Sequence, residues 1–588
     1  MTVSAQDFVA IGAATTPVFS ADGQTLFHLR GAGLPQVWAL DLRTGADHAL
    51  TAHDERVAFL RRAPNDDRLI YGIDRGGDER QQLWLLDPAT GAQRPLTDAP
   101  ASIHDFGAFS PDGTRIAYAA NDRDPAHFDI VIQALDGTAI RRVWQGSGLL
   151  SVGAFAPDGS LLTAIADRGF TDQSLLIVDP ALGAATVFPR PVPTRYQSIR
   201  WAADGTGLCG LTDHGGADFL YLAAFDLATG LVETLFAAPG RDVEAWALSP
   251  DRARLATIEN AGGASLLRLG PVNGPRPLVA GLPAGVISEP AFSPDGSLLA
   301  VAVSGPDIPP ALWGIATATG AARPLWAPDP SRDFVVPTEV RWTSFDGREI
   351  PGFLALPAGP TPARGHPAIV WVHGGPEAQT RANFRPDIQA LLARGFAVLM
   401  PNVRGSTGYG RDYFAADDRD KRLDATTDLA HAHAFLAAHP AIDATRIGIM
   451  GQSYGGYMVL SAITEHPALW RAAVNFYGIA DFTTLLATTG PWRRAQRAYE
   501  YGDDPTLFAR ISPLRRAEQI RAPLLVLHGH RDPRVPITES EQIVAALRAR
   551  QHRVDYLTFD DAGHGFIRPN DRVRAWDAVA RFFHEHLC

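Results

Sequence analysis

Cysteine and lysine are almost absent from this chain of 588 residues, which has two cysteines, Cys209 and Cys588, and one lysine, Lys421. Two cysteines far apart form no disulfide framework, and no CxxC pair or Cys/His zinc spacing occurs, so no metal site is expected. The lone lysine among many arginines reads as coding bias rather than chemistry. Positive charge is in deficit, with a net charge of −11. No basic field is therefore available to neutralise phosphates, and nucleic acid is excluded as a partner. No apolar run approaches the length of a membrane span, so no membrane partner is expected. The opening Met1-Thr2-Val3-Ser4-Ala5-Gln6-Asp7 lacks the basic-then-apolar order of a signal peptide. These absences lead to the expectation of a soluble protein in the reducing cytoplasm. Phosphate-binding glycine fingerprints of the dinucleotide or P-loop type are missing as well.

What is present begins with length. A chain of 588 residues exceeds one ordinary core, so two large domains, or one domain and a repeat array, are expected. The first half repeats itself. Phe19-Ser20-Ala21-Asp22-Gly23, Phe109-Ser110-Pro111-Asp112-Gly113, Phe155-Ala156-Pro157-Asp158-Gly159 and Phe292-Ser293-Pro294-Asp295-Gly296 are copies of one turn. Weaker copies lie at Asn65-Asp66, Asp204-Gly205 and Pro250-Asp251, and the turn positions 22, 65, 112, 158, 204, 251 and 295 are spaced by 43 to 47 residues. Pro and Gly set the turn dihedrals, and Asp accepts hydrogen bonds from the turn backbone. A period of about 40–50 residues with about four short strands is that of a propeller blade. Seven copies predict a seven-bladed β-propeller over roughly residues 10–325. Stacked β-sandwich domains would need longer and less regular units. Charged clusters such as Asp78-Glu79-Arg80 read as solvated loop tips.

Near Asp333 the pattern changes. A hairpin-like segment, Trp342 to Arg348, is followed by continuous apolar strands that alternate with helical stretches: 368–372, 396–400, 447–450, 473–476, 524–527 and 554–559. Such strands predict a parallel sheet covered on both faces. The expected division is a propeller domain at 1–328, with a short N-terminal segment, and an α/β-hydrolase domain at 329–588.

The hydrolase assignment rests on Gly451-Gln452-Ser453-Tyr454-Gly455-Gly456, between a strand and a helix. A sharp strand-to-helix turn forces its central residue into a strained backbone, where flanking side chains would clash, and lifts the serine hydroxyl to the top of the sheet. A serine needs a base, and the base needs an orienting acid. Asp532 follows one late strand and His564 follows the next, 79 and then 32 residues on, in the chain order of this fold. Asp560 and Asp561 compete as the acid but lie on the histidine's own loop. His528 and His530 could suggest a metal with Asp532, yet no remote ligand completes it, and loop packing is the reading for both. The oxyanion needs two N–H donors: one from Tyr454, after the nucleophile, and one from the early loop His373-Gly374-Gly375-Pro376.

Seven blades ahead of this elbow resemble the prolyl oligopeptidase family of serine peptidases. The resemblance covers essentially the whole chain and rests on His373-Gly374-Gly375-Pro376, on Asn402 to Gly410 (NVRGSTGYG), on the elbow, on Asp532-Pro533-Arg534-Val535-Pro536 and on Gly563-His564-Gly565. The HGGP form most resembles the acylaminoacyl-peptidase branch. The resemblance implies oxyanion donors at Gly375 and Tyr454. It also implies that Arg534 bonds a substrate carbonyl and that Val535 walls the pocket for the residue before the scissile bond. Trp492 is similar to a pocket tryptophan across a variable loop, a surface or hinge role being the alternative, and Phe482 is a second pocket candidate. The resemblance implies short peptides as substrates, a propeller that filters them, no cofactor, and association with copies of itself as a frequent family habit. The dipeptidyl-peptidase branch carries a Glu-Glu pair that clamps the substrate amino terminus, and no such pair occurs here. The expected activity is that of a serine peptidase of acylaminoacyl-, oligo- or aminopeptidase type. An esterase or amidase, or a dipeptidyl-type exopeptidase, is the alternative.

Overall fold

The computed structural model describes residues 4–329 and 333–588. The boundary expected at 328/329 adjoins residues 330–332, which lie outside the described residues, as do the first three residues of the segment read for a leader.

Seven antiparallel sheets follow one another at 13–49, 57–95, 104–145, 149–187, 196–236, 243–271 and 286–326. Six have four strands and the sixth blade has three. The repeated turn joins the first and second strands of each blade, and its aspartate works as the sequence requires. Asp22, Asp112, Asp158, Asp204, Asp251 and Asp295 each accept the backbone N–H two residues on, at 2.9–3.1 Å. In the second copy the acceptor is Asp66, one residue beyond the Asn65 of the repeat, with Arg68 N–H at 2.9 Å. The ring closes without sharing a strand between its ends: Thr16 of the first blade donates to Glu289 of the last through its N–H at 2.6 Å and its hydroxyl at 2.9 Å. Ala14, Leu26, Ala300 and Leu312 pack across the same seam.

The C-terminal half is one eight-stranded sheet. Its strands in chain order are β1 (Thr338–Thr343), β2 (Glu349–Ala355), β3 (His366–Val372), β4 (Ala397–Pro401), β5 (Ile442–Gln452), β6 (Ala473–Phe476), β7 (Leu524–Gly529) and β8 (Val554–Phe559). The spatial order is β1-β2-β4-β3-β5-β6-β7-β8, and pairing is parallel from β4 onward. Strands β3 and β4 are buried along their whole length, as expected of a sheet with helices on both faces. Helices α1 (Arg422–Ala437), α2 (Tyr454–Glu465) and α3 (Pro491–Tyr501) matter most for the site. No described helix is long and apolar enough to cross a membrane.

The two halves touch closely where the last strands of the sheet end. Gly563 N–H donates to Gly76 O of the second blade at 2.8 Å. A Cβ on Gly563 would stand 2.1 Å from Gly77 O, and one on Gly76 would stand 2.1 Å from Asp561 O. Gly563 does not adopt a left-handed φ, so its need for glycine comes from the propeller backbone. Gly563→Ala should cost little within its own loop yet push the halves apart beside His564. We expect kcat/KM to fall about 10- to 100-fold, measured by steady-state kinetics alongside small-angle scattering. An unchanged kcat/KM would show that this seam does not position the loop.

Candidate active site

Ser453 ends β5 and begins α2 with φ 56° and ψ −121°. A non-glycine residue holds such a backbone only when its surroundings over-determine it. Here they do. A Cβ at Gly455 would lie 2.2 Å from Val372 O, and one at Gly451 would lie 2.3 Å from Gly455 O. The elbow can press against β3 only because its flanking residues lack side chains.

The structure brings the three expected side chains into one hydrogen-bonded line. His564 Nδ1 is 2.7 Å from Asp532 Oδ2, and His564 Nε2 is 2.9 Å from Ser453 Oγ. A carboxylate oxygen only accepts, so Nδ1 carries the proton and Nε2 is left to accept from the serine hydroxyl. Burial alone would raise the Asp532 pKa. The charge of His564 and hydrogen bonds from His528 and His564 outweigh it and hold the carboxyl well below the usual range. Its other oxygen accepts the N–H groups of Arg534 (2.8 Å) and Val535 (2.9 Å). The competing aspartates point elsewhere: Asp561 pairs with Arg531 at 2.5 Å, and Asp560 is 96% exposed, with His530 at 3.7 Å.

His528 supports the acid rather than a metal. Its Nε2 donates to Val535 O at 2.8 Å and its Nδ1 meets Ser540 Oγ at 2.7 Å, with Asp532 Oδ2 3.5 Å away. No cluster of metal-ligating side chains occurs among the described residues. The HGGP loop lies directly over the elbow, since a Cβ on Gly374 would meet Ser453 Cβ at 3.3 Å. His373, fully buried and kept neutral by desolvation, donates from Nδ1 to Gly374 O at 2.7 Å and meets Ser406 Oγ at 2.9 Å through Nε2. Asn402 grips Thr380 through both backbone groups, at 2.6 and 3.0 Å. The NVRGSTGYG segment is thus the cradle of the HGGP loop. Neither Gly375 N–H nor Tyr454 N–H donates to another described residue.

Three expectations need correction, and Trp492 takes a place that fits its alternative reading. Asp78-Glu79-Arg80 is not a solvated tip. Glu79, with φ 61°, accepts from Arg534 Nε at 2.5 Å, so the arginine expected to meet substrate is already paired with the second blade. Trp492 packs on the apolar cluster of blades three and four, with Leu150 and Val152, as a hinge contact. Phe482 has no accessible surface and stacks against Tyr457, Tyr501 and Phe508 inside the hydrolase core. Val535 is 4% exposed and packs in the same core, so it offers little free wall. In all four cases the contact that decides the role comes from residues distant in sequence.

Sequence reasoning missed Tyr477. Its ring centroid is 4.8 Å from that of His564, and its hydroxyl donates to Gln452 Oε1 at 3.1 Å. A cavity of about 770 Å³ opens beside the acid, lined by Asp74, Asp78 and Arg80 of blade two and by His530, Asp532 and Pro533. The paired glycines Gly76-Gly77 were the signal, available in the sequence, that this propeller loop approaches another backbone.

Residues 382–588 match the family model described as the prolyl oligopeptidase family. The C-terminal half is thus similar to the prolyl oligopeptidase family. The chain is 29% identical over 568 residues to dipeptidyl aminopeptidase BIII of Pseudoxanthomonas mexicana, covering 91% of this chain and 80% of that one. It is 27% identical over 237 residues to the human acylamino-acid-releasing enzyme, covering 39% of this chain and 32% of that one. A puromycin-hydrolyzing peptidase of Mycobacterium tuberculosis superposes with a TM-score of 0.85 at 23% identity, over 100% of this chain and 96% of that one. That likeness shows the shared fold, a seven-bladed propeller set on an α/β-hydrolase. Relatives named as a dipeptidyl aminopeptidase and as an acylamino-acid-releasing enzyme thus both share sequence with this chain, the former over 91% of it.

Proposed function

We propose that the protein is a serine peptidase that cleaves short peptides near their amino end. A propeller domain of residues 1–328 would gate a catalytic domain of residues 329–588. The observation that carries the reading is the imidazole of His564, bridging Ser453 Oγ at 2.9 Å and Asp532 Oδ2 at 2.7 Å. In this mechanism Ser453 attacks the scissile carbonyl while His564 Nε2 takes its proton. The tetrahedral oxyanion is held by the N–H groups of Gly375 and Tyr454, at about 3–4 kcal/mol per donor in comparable sites. His564 then gives the proton to the leaving amine, and water releases the acyl group by the same steps. Asp532 keeps the imidazole in its tautomer and stabilises the imidazolium. Arg534 would turn from Glu79 to a substrate carbonyl. The two unpaired cysteines fit a reducing, cytoplasmic compartment.

Two measurements test this. An alkyl phosphonofluoridate should add once per chain, at Ser453, as read by intact and peptide mass spectrometry. A panel of N-acetyl-aminoacyl, free aminoacyl, dipeptidyl, prolyl-peptide and simple ester substrates should show turnover of amide bonds. Turnover of esters alone would leave only the esterase reading, and no adduct at Ser453 would remove the hydrolase reading.

A further inference from the structure

We propose that one buried charge network anchors both oxyanion donors and so acts as a positioning unit for the reaction. The inference rests on Gly375 and Tyr454 as donors, and it assigns the side chains that hold them. Both lie at the ends of a single chain of contacts. Glu377 follows Gly375 by two residues, and its Oε1 is 3.3 Å from Arg497 Nη1 on α3. The same Nη1 is 2.6 Å from Glu500 Oε2. Glu500 Oε1 in turn lies 3.2 Å from Arg422 Nη2, at the start of α1. Arg422 Nη1 donates to Asp417 Oδ2 at 2.5 Å and to the Tyr454 hydroxyl at 3.0 Å, and that hydroxyl donates to Asp417 Oδ2 at 2.8 Å.

Charge and burial make this an unusual piece of core. Arg422, Asp417 and Tyr454 are at most 2% exposed, and the side chains of Glu377 and Glu500 are 6% exposed. Three carboxyls face two guanidiniums. Burial and the neighbouring charge of Glu377 push Glu500 well above the usual carboxylate range, while the Arg497 guanidinium between them ties the two carboxyls together. Buried ion pairs of this kind return little net stability compared with apolar packing, because desolvating each ion costs several kcal/mol. Their return is geometric, since every member fixes the direction of the next. The phenol of Tyr454 thus fixes the residue whose N–H faces the oxyanion. Glu377 fixes the turn that carries Gly375, where a Cβ on Gly375 would already stand 2.6 Å from Glu377 N.

The test separates positioning from mere packing. Tyr454→Phe keeps the amide, the ring and its packing, and removes only the hydroxyl. Deleting an oxyanion donor outright costs about 10²- to 10³-fold in kcat. Loosening one should lower kcat by about 10- to 100-fold, with KM within about twofold of wild type. A peptidyl aldehyde, which forms a tetrahedral adduct on Ser453, should lose affinity in proportion to kcat/KM. Glu500→Ala should behave alike, and Glu500→Gln, which keeps the length and the hydrogen-bonding ends of the side chain, should restore kcat to within about threefold. Circular dichroism and thermal midpoints identify any variant that fails to fold, and the Glu500 pair then decides. If kcat in the folded variants stays within twofold of wild type, or if Glu500→Gln and Glu500→Ala are equally impaired, the network is only structural and the proposal falls. Phosphonofluoridate labelling of Ser453 in the same variants is independent of that outcome. Absence of labelling in the wild type would sink the hydrolase reading instead.

Discussion

Ser453→Ala is expected to lower kcat by about 10⁶-fold, to the level left by binding and the oxyanion donors alone. Among the described residues the Ser453 hydroxyl is the only group hydrogen-bonded to His564 Nε2, at 2.9 Å, so no other described nucleophile stands ready. The fold should be undisturbed, because alanine keeps the Cβ that the elbow already accommodates at φ 56°. Substrate should still bind, with its dissociation constant within a few-fold of the wild-type KM where chemistry limits turnover. Single-turnover kinetics with an aminoacyl or N-acyl-aminoacyl substrate, and calorimetry with the inert variant, check both parts. Retention of more than a thousandth of wild-type kcat would show that another group performs the attack.

Asp532→Asn is expected to lower kcat by about 10⁴-fold. The wild-type carboxylate accepts at both oxygens: from His564 Nδ1 on one side, and from the Arg534 and Val535 amides on the other. An asparagine that kept its oxygen toward the two amides would turn its NH₂ toward His564. The imidazole would then protonate at Nε2 and could no longer accept from Ser453. The variant also reports on stability. Asp532 is held well below its ordinary value of 3.8 in the fold. A depressed carboxylate contributes stability that is full above that ordinary value and is lost as pH falls toward the folded value. The asparagine variant should therefore lose less of its thermal midpoint than wild type between pH 7 and pH 3, as followed by calorimetry. A steeper loss than wild type would place the acid-sensitive charge elsewhere.

The pairing of Glu79 with Arg534 changes how the site is understood. Before substrate arrives, this arginine is tied to the propeller across the seam, at 2.5 Å. With Arg534 in the role proposed for it, occupancy of the site and the seating of blade two would compete for one guanidinium. The Gly76–Gly563 contact lies on the same seam and on the loop that carries His564. On the proposed function, entry of a peptide, positioning of the base and docking of the halves are properties of one small patch of surface.

What the chain alone determined was local. Turns recur because Asp, Pro and Gly set dihedrals within five residues, which is why seven blades could be counted before any coordinate was known. The elbow is legible for the same reason: a strand, a strained serine and its glycines lie within one short stretch. The order Ser453, Asp532, His564 follows from strands whose apolar runs are visible one by one. What only the tertiary structure decided depends on residues far apart. Glu79 meets Arg534, Gly77 O faces Gly563, Trp492 lands on blades three and four, and Arg497 bridges Glu377 and Glu500. No dihedral preference or periodicity encodes such meetings, because their partners are brought together only when the propeller seats on the sheet and α3 folds over the oxyanion loop. The sequence therefore announced the proposed nucleophile, while the setting around it was written in contacts between distant segments.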